Sequence, residues 1–167
     1  MAPARLNYRC ACAAAQGGLT AGALAFSDAL PELSAAVLGN ASKGIQAAFA
    51  SYAPSGAWTE GLGYWGYGTN YAVVYIDSML TATGGDGGAA ASPGLNETGL
   101  FCLHGVGPSW DQFNWGDSGS GGCDEAVRTS RTLAASSSAI FYFTFLMNEL
   151  VVSFCSSKST STMYTGR

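Results

Sequence analysis

Apolar residues recur at helical spacing in three stretches, and turn-forming residues separate them. Over 18–30, Leu19, Ala23, Phe26 and Leu30 share one face, which predicts a first helix. Pro31 stops that helix and suits the first turn of the next, where a missing N–H is harmless. A second helix is expected over 31–52. Leu33, Val37, Ile45, Ala48, Phe49 and Tyr52 give it a looser apolar face, broken by Gly39 and Gly44. So short a connection makes the two helices antiparallel neighbours. The turn-rich stretch 53–61 follows, with Pro54, Gly56 and Gly61. A third helix is predicted over 64–82, striped by Tyr64, Tyr67, Tyr71, Val74, Tyr75 and Met79. Thr83-Gly84-Gly85-Asp86-Gly87-Gly88 ends it. Residues 93–103 read as a short helix or strand, and 105–117 as an aromatic loop.

The character of the chain changes on either side of this pattern. Residues 1–15 are rich in Ala and Cys and carry no clear structural signal. Arg5 and Arg9 precede a small-residue stretch that loosely resembles a signal peptide, but Gln16, Gly17, Gly18 and Thr20 interrupt it, which favours a mature helix. Residues 119–167 turn to Ser, Thr and clustered aromatics, and Gly119, Gly121 and Gly122 mark the boundary. Within that tail 140–147 is β-prone. The run 139–155 is the most apolar in the chain. It is 17 residues long and holds Asn148 and Glu149, whereas a spanning helix needs about 20 apolar residues. A membrane span is therefore not expected. The expected organisation is an atypical segment over 1–15, a helical domain over 16–118, and a tail over 119–167.

Composition narrows the classes of function. Apolar residues make up 48% of the chain and charged residues only 11%. The first figure argues for a packed core. The second is low enough that part of the surface should be covered by something else. With 7 basic against 11 acidic residues the formal net charge is −4, so no basic patch exists to grip nucleic acid. A polyanion would have to be held by a few placed groups. The cysteines are Cys10, Cys12, Cys102, Cys123 and Cys155, without a CxxC pair, and His104 is the lone histidine. A zinc site is not expected, and no metal or cofactor is called for. The sequons Asn40-Ala-Ser and Asn96-Glu-Thr are too short to fix a compartment.

An ordered series of residues carries a family resemblance. Gln16-Gly17-Gly18-Leu19-Thr20 opens a small-residue helix, and Pro31-Glu32-Leu33 begins the next. The strongest piece runs from Tyr52-Ala53-Pro54-Ser55-Gly56-Ala57-Trp58 through Thr59-Glu60-Gly61-Leu62-Gly63-Tyr64 to Trp65-Gly66-Tyr67-Gly68-Thr69. Pro93-Gly94-Leu95, Thr98-Gly99, Gly107-Pro108-Ser109 and Phe113-Asn114-Trp115-Gly116-Asp117 follow in order. Together they resemble the middle of the heparinase II/III-like polysaccharide lyases, close to the alginate-lyase-like helical toroid. The resemblance implies a mainly α fold, with antiparallel helical hairpins forming part of an incomplete (α/α) toroid ahead of the irregular or β-prone tail. Whole enzymes of that kind are several times longer, so the chain is expected to represent a fragment. An acidic polysaccharide is the implied partner; the sequence does not fix the compartment, and a secreted or periplasmic-like one is compatible with it.

Such enzymes cleave by β-elimination. That reaction needs neutralisation of the uronate carboxylate, a base for the neighbouring C–H, and an acid for the leaving glycosidic oxygen. The resemblance assigns the acid to Tyr64 and places Gln16 where the family often has an asparagine amide. It also suggests Trp58, Glu60, Trp65 and Tyr67 as substrate contacts, with Trp110 and Trp115 as further stacking aromatics. The plainer reading makes these aromatics core or rim residues and has Glu60 complementing a helix N-terminus. Gln16 moves the amide by one methylene, and Asn70 stands where an arginine is often found; both departures argue against full activity. A non-catalytic carbohydrate-binding remnant and a small membrane-associated protein are the alternatives. His104 sits at no recognised family position. Gly116-Asp117-Ser118-Gly119 matches the GDSG around a serine-protease nucleophile, but the lone upstream histidine and the lack of an all-β pattern argue against a hydrolase.

Overall fold

The computed structural model describes residues 9–107 and 111–119, with side chains from Ala11 onward. The described part is mainly helical and contains no strand, only an isolated antiparallel bridge between Val106 and Gln112. Helices α1 (Arg9–Ala25), α2 (Pro31–Gly44), α3 (Gln46–Phe49), α4 (Leu62–Thr83) and α5 (Thr98–His104) follow in order. Single 3-10 turns occupy Ala50–Tyr52, Ala89–Ala91 and Leu95–Glu97. The β-prone 140–147, the apolar 139–155 and Trp110 lie outside the described residues.

Helix α1 (Arg9–Ala25) is already helical ahead of the expected Gly18, so the boundary expected at 15/16 falls inside a helix. Alanine has the highest helix propensity, and the segment 11–15 is mostly Ala. Gly17-Gly18 had suggested a start signal; the pair instead lets two helices touch. A Cβ on Gly17 would run into the Tyr71 carbonyl of α4. The helix ends at Ala25, earlier than the expected Leu30, and 26–29 form a turn. Pro31 bars the helix from continuing through Leu30, because the residue before proline is pushed out of the α region. Leu30 accordingly has φ −136° and ψ 61°.

Pro31 occupies the first turn of α2, as expected, with Glu32 near its start and Lys43 near its end, both matching the helix dipole. The expected single helix over 31–52 is divided at Ile45 into α2, α3 and a 3-10 turn. A Cβ on Gly44 would approach the end of the Gln16 side chain to 2.8 Å, so α1 and α2 lie close together here and a larger residue would displace that side chain. The Cys12 thiol also reaches the Gly44 carbonyl at 3.2 Å.

Helix α4 matches its expected position to within two residues. Gly61 precedes it at φ 91°, and Gly84 closes it in the left-handed region at φ 75°, donating its N–H to the Leu80 carbonyl. Its first turn has no local side-chain cap. Ser118 takes that role from far along the chain, its Oγ accepting the Gly63 N–H at 2.8 Å. Helices α1 and α4 are antiparallel. Tyr71 lies at Gly17; Tyr75, one turn later, bonds Ser42, and neighbouring Gly44 lies at Cys12, towards the start of α1.

The core gathers where α3, its 3-10 turn and the loop 53–61 meet α4. Ile45, Phe49, Tyr52, Trp58, Trp65, Tyr75 and Ile76 are all buried there. Ring centroids of Tyr52 and Trp58 are 5.0 Å apart, and those of Phe49 and Tyr75 are 6.0 Å apart. The outer face of the α1–α2 hairpin is different: Leu19, Phe26, Leu30 and Leu33 are exposed. Among the described residues no helix is long and apolar enough to cross a membrane.

Candidate functional site

The loop 53–61 and the start of α4 hold most of the residues singled out by the resemblance, and they divide into an inner and an outer set. Trp58 is 2% exposed and Trp65 fully buried. The Trp58 indole N–H donates to Glu60 Oε2 at 2.8 Å. The Trp65 N–H donates to Thr98 Oγ1 at 2.8 Å, and the same hydroxyl donates to the Gly56 carbonyl at 2.7 Å. Thr98 thus ties α4, the loop and α5 into one buried polar junction, where each hydrogen bond is fully used. Both indoles, expected as sugar-stacking contacts, are buried in this structure and present no free face. Glu60 is also buried, its carboxylate turned to Trp58 just ahead of α4, where negative charge is favoured.

The outer set is a strip of tyrosines on α4. Tyr64 is 39% and Tyr67 44% exposed, and Tyr71 is half-buried between them and α1. Their i, i+3, i+7 spacing puts all three on one side of the helix. The rings of Tyr67 and Tyr71 meet edge to face with centroids 5.3 Å apart. Trp115 is half-buried and packs edge to face on Phe101, with centroids 5.8 Å apart.

Gln16 is not brought to Tyr64. Its amide lies against Gly44 of α2, and the tyrosine beside neighbouring Gly17 is Tyr71. Tyr64 stands seven residues before Tyr71, roughly 10 Å along the helix axis. The two catalytic candidates therefore lie at different levels of the α1–α4 pair. Asn70 has a buried side-chain oxygen with no hydrogen-bond partner, beside the tyrosine strip in sequence. His104 is exposed at the end of α5. Ser118 is buried, and besides capping α4 it donates to Gln112 Oε1 at 3.2 Å, so its hydroxyl serves a structural purpose. Among the described residues no group of His, Cys, Asp and Glu could hold a metal ion.

No protein-family model matches the chain, and no curated protein matches it in sequence.

Sequence reasoning missed the buried cysteine. Burial pushes the Cys102 thiol from 9.0 up to about 12. The neutral thiol is the form the fold favours. Its contribution is fully present below pH 9.0 and is lost as the pH rises towards about 12. Peptide mapping after iodoacetamide treatment at pH 8 should find Cys102 unmodified in the native protein and fully modified in denaturant, because the thiolate is the reactive form. Comparable labelling in both states would show that the site opens freely.

Proposed function

We propose that this protein is a polysaccharide-contacting helical module, built from hairpins like those of the heparinase II/III-like toroids, that holds uronic-acid-containing chains along the Tyr64–Tyr67 face of α4. The observation behind this reading is the exposure of Tyr64 and Tyr67 on a helix whose Trp65 and Tyr75 are buried and whose Tyr71 is half-buried. An aromatic ring held at a surface presents a flat apolar face to the C–H face of a pyranose, and its phenol supplies a hydrogen bond to sugar hydroxyls. Tyr71 supports Tyr67 from behind through their edge-to-face contact. The low charge of the chain suits recognition through sugar faces and hydroxyls more than through carboxylate pairing. With the Gln16 amide lying against Gly44 rather than beside Tyr64, binding is better supported than β-elimination.

Binding to alginate and heparan sulfate oligosaccharides can be measured by calorimetry while absorbance near 235 nm reports unsaturated uronate. Binding without new absorbance is the expected result. Tyr64→Ala and Tyr67→Ala should each weaken binding about tenfold, the effect of losing roughly 1.4 kcal/mol. Unchanged affinity in both variants would reject the tyrosine face. Absorbance growth that Tyr64→Phe abolishes would instead assign Tyr64 the role of proton donor in a working lyase.

A further inference from the structure

The sequons at Asn40 and Asn96 both lie among the described residues, and both asparagines are exposed. Asn40 sits inside α2, where the backbone is committed to the helix. Asn96 stands on the 3-10 turn Leu95–Glu97, between Gly94, in the left-handed region at φ 83°, and Thr98, the first residue of α5. An exposed amide on a surface turn leaves room for a bulky glycan.

The threonine of the Asn96 sequon is placed in the opposite sense. Thr98 is 2% exposed. Its hydroxyl accepts the Trp65 indole N–H at 2.8 Å and donates to the Gly56 carbonyl at 2.7 Å. The main chain is covered there too, since a Cβ on Gly56 would run into Thr98 Cα. A glycan-transferring enzyme reads the asparagine amide together with the hydroxyl two residues on, which is why Ser or Thr is required at that position. In the folded protein the amide is open to solvent and the hydroxyl is enclosed. The fold and the enzyme therefore compete for the same hydroxyl.

We infer that Asn96 is an acceptor for an N-linked glycan that can be loaded only before the Trp65–Thr98–Gly56 junction closes. In the transfer, Asn96 Nδ2 forms a bond to the anomeric carbon of a lipid-diphosphate-linked oligosaccharide. The bond from that carbon to the diphosphate oxygen breaks, the lipid diphosphate departs with the electron pair, and the amide proton passes to the medium. The attached glycan then sits on an exposed side chain and touches none of the three residues of the junction. The modified chain folds as the unmodified one does, and the folded chain no longer accepts a glycan.

Cell-free translation of the full-length chain carrying Asn40→Gln, so that only Asn96 is read, tests this. Solubilised oligosaccharyltransferase and its lipid-diphosphate-linked oligosaccharide are added either at the start of translation or after translation and folding are complete. Enzymatic deglycosylation in 18O water followed by peptide mapping leaves a labelled aspartate at each former glycan site. Early addition should modify Asn96, and late addition should modify about tenfold less or lower, because only locally opened molecules expose Thr98. Adding Trp65→Ala, which opens the junction, should bring late modification up to the early level. The urea midpoint of the glycosylated chain should match that of the unmodified chain. Absence of modification in both arms would overturn the assignment of Asn96 as an acceptor. Equal modification in both arms, or late modification that Trp65→Ala leaves unchanged, would overturn the role of the junction. A much lower midpoint after glycosylation would show that the glycan and the fold are incompatible, and would overturn the inference as well.

Discussion

Trp65→Ala is expected to lower the unfolding free energy by about 3–5 kcal/mol, the usual cost of emptying a large aromatic site in a core. Trp65 is fully buried and its indole N–H is the donor to Thr98 Oγ1. The substitution removes packing and leaves that hydroxyl with only the Gly56 carbonyl as partner. A small domain holds about 5–15 kcal/mol in total, so the loss should appear as a large fall in the urea midpoint, with much of the chain unfolded at 37 °C. Trp65→Phe keeps a ring but not the donor and should fall between. If Trp65→Ala unfolded at the wild-type urea concentration, the residue would not lie in the core described, and its earlier candidacy as a sugar platform would be open again.

The second large effect belongs to Gly17→Val. A single added carbon already meets the Tyr71 carbonyl, and valine adds two more atoms that a helix backbone cannot move away from. Overpacking of this kind usually costs about 1–3 kcal/mol. Here the obstructing atom is main chain rather than a flexible side-chain end, so the upper end of that range is expected. Gly22→Ala, with open space around its Cβ, serves as the control, and glycine-to-alanine exchange inside a helix should be neutral or stabilising. Thermal melts of the two variants separate a specific close contact from a general intolerance of larger residues in α1. Equal behaviour of the two would mean that α1 and α4 do not approach each other as described.

These two positions also show what could be read from the sequence. Helix α4 was legible because its limits are written in local chemistry: glycines at 61 and 84 take positive φ on either side of a long apolar stretch. The proline stop between α1 and α2 was legible for the same reason. The start of α1 was not, because Gly17-Gly18 looks locally like a break, and only the partner helix shows that the missing side chains make room for Tyr71. The aromatic roles divided similarly. Helical spacing puts Tyr64, Tyr67 and Tyr71 on one side of α4, but no spacing rule says which side faces out. The indoles of Trp58 and Trp65 were suggested as ligand contacts because tryptophan suits both cores and binding surfaces. Their partners, Glu60 and Thr98, decide the matter, and Thr98 is 33 residues from Trp65. The polysaccharide partner rests on the resemblance and on the tyrosine strip, and the binding experiment addresses it directly.

The bond between Ser118 and Gly63 has a practical bearing on where this polypeptide can be cut. It joins residues 55 positions apart, so the beginning of α4 is completed only once the ribosome has made residue 118. A recombinant piece trimmed at 117 would present that amide to solvent and melt at a lower temperature than one trimmed at 119, although the two differ by a mere dipeptide.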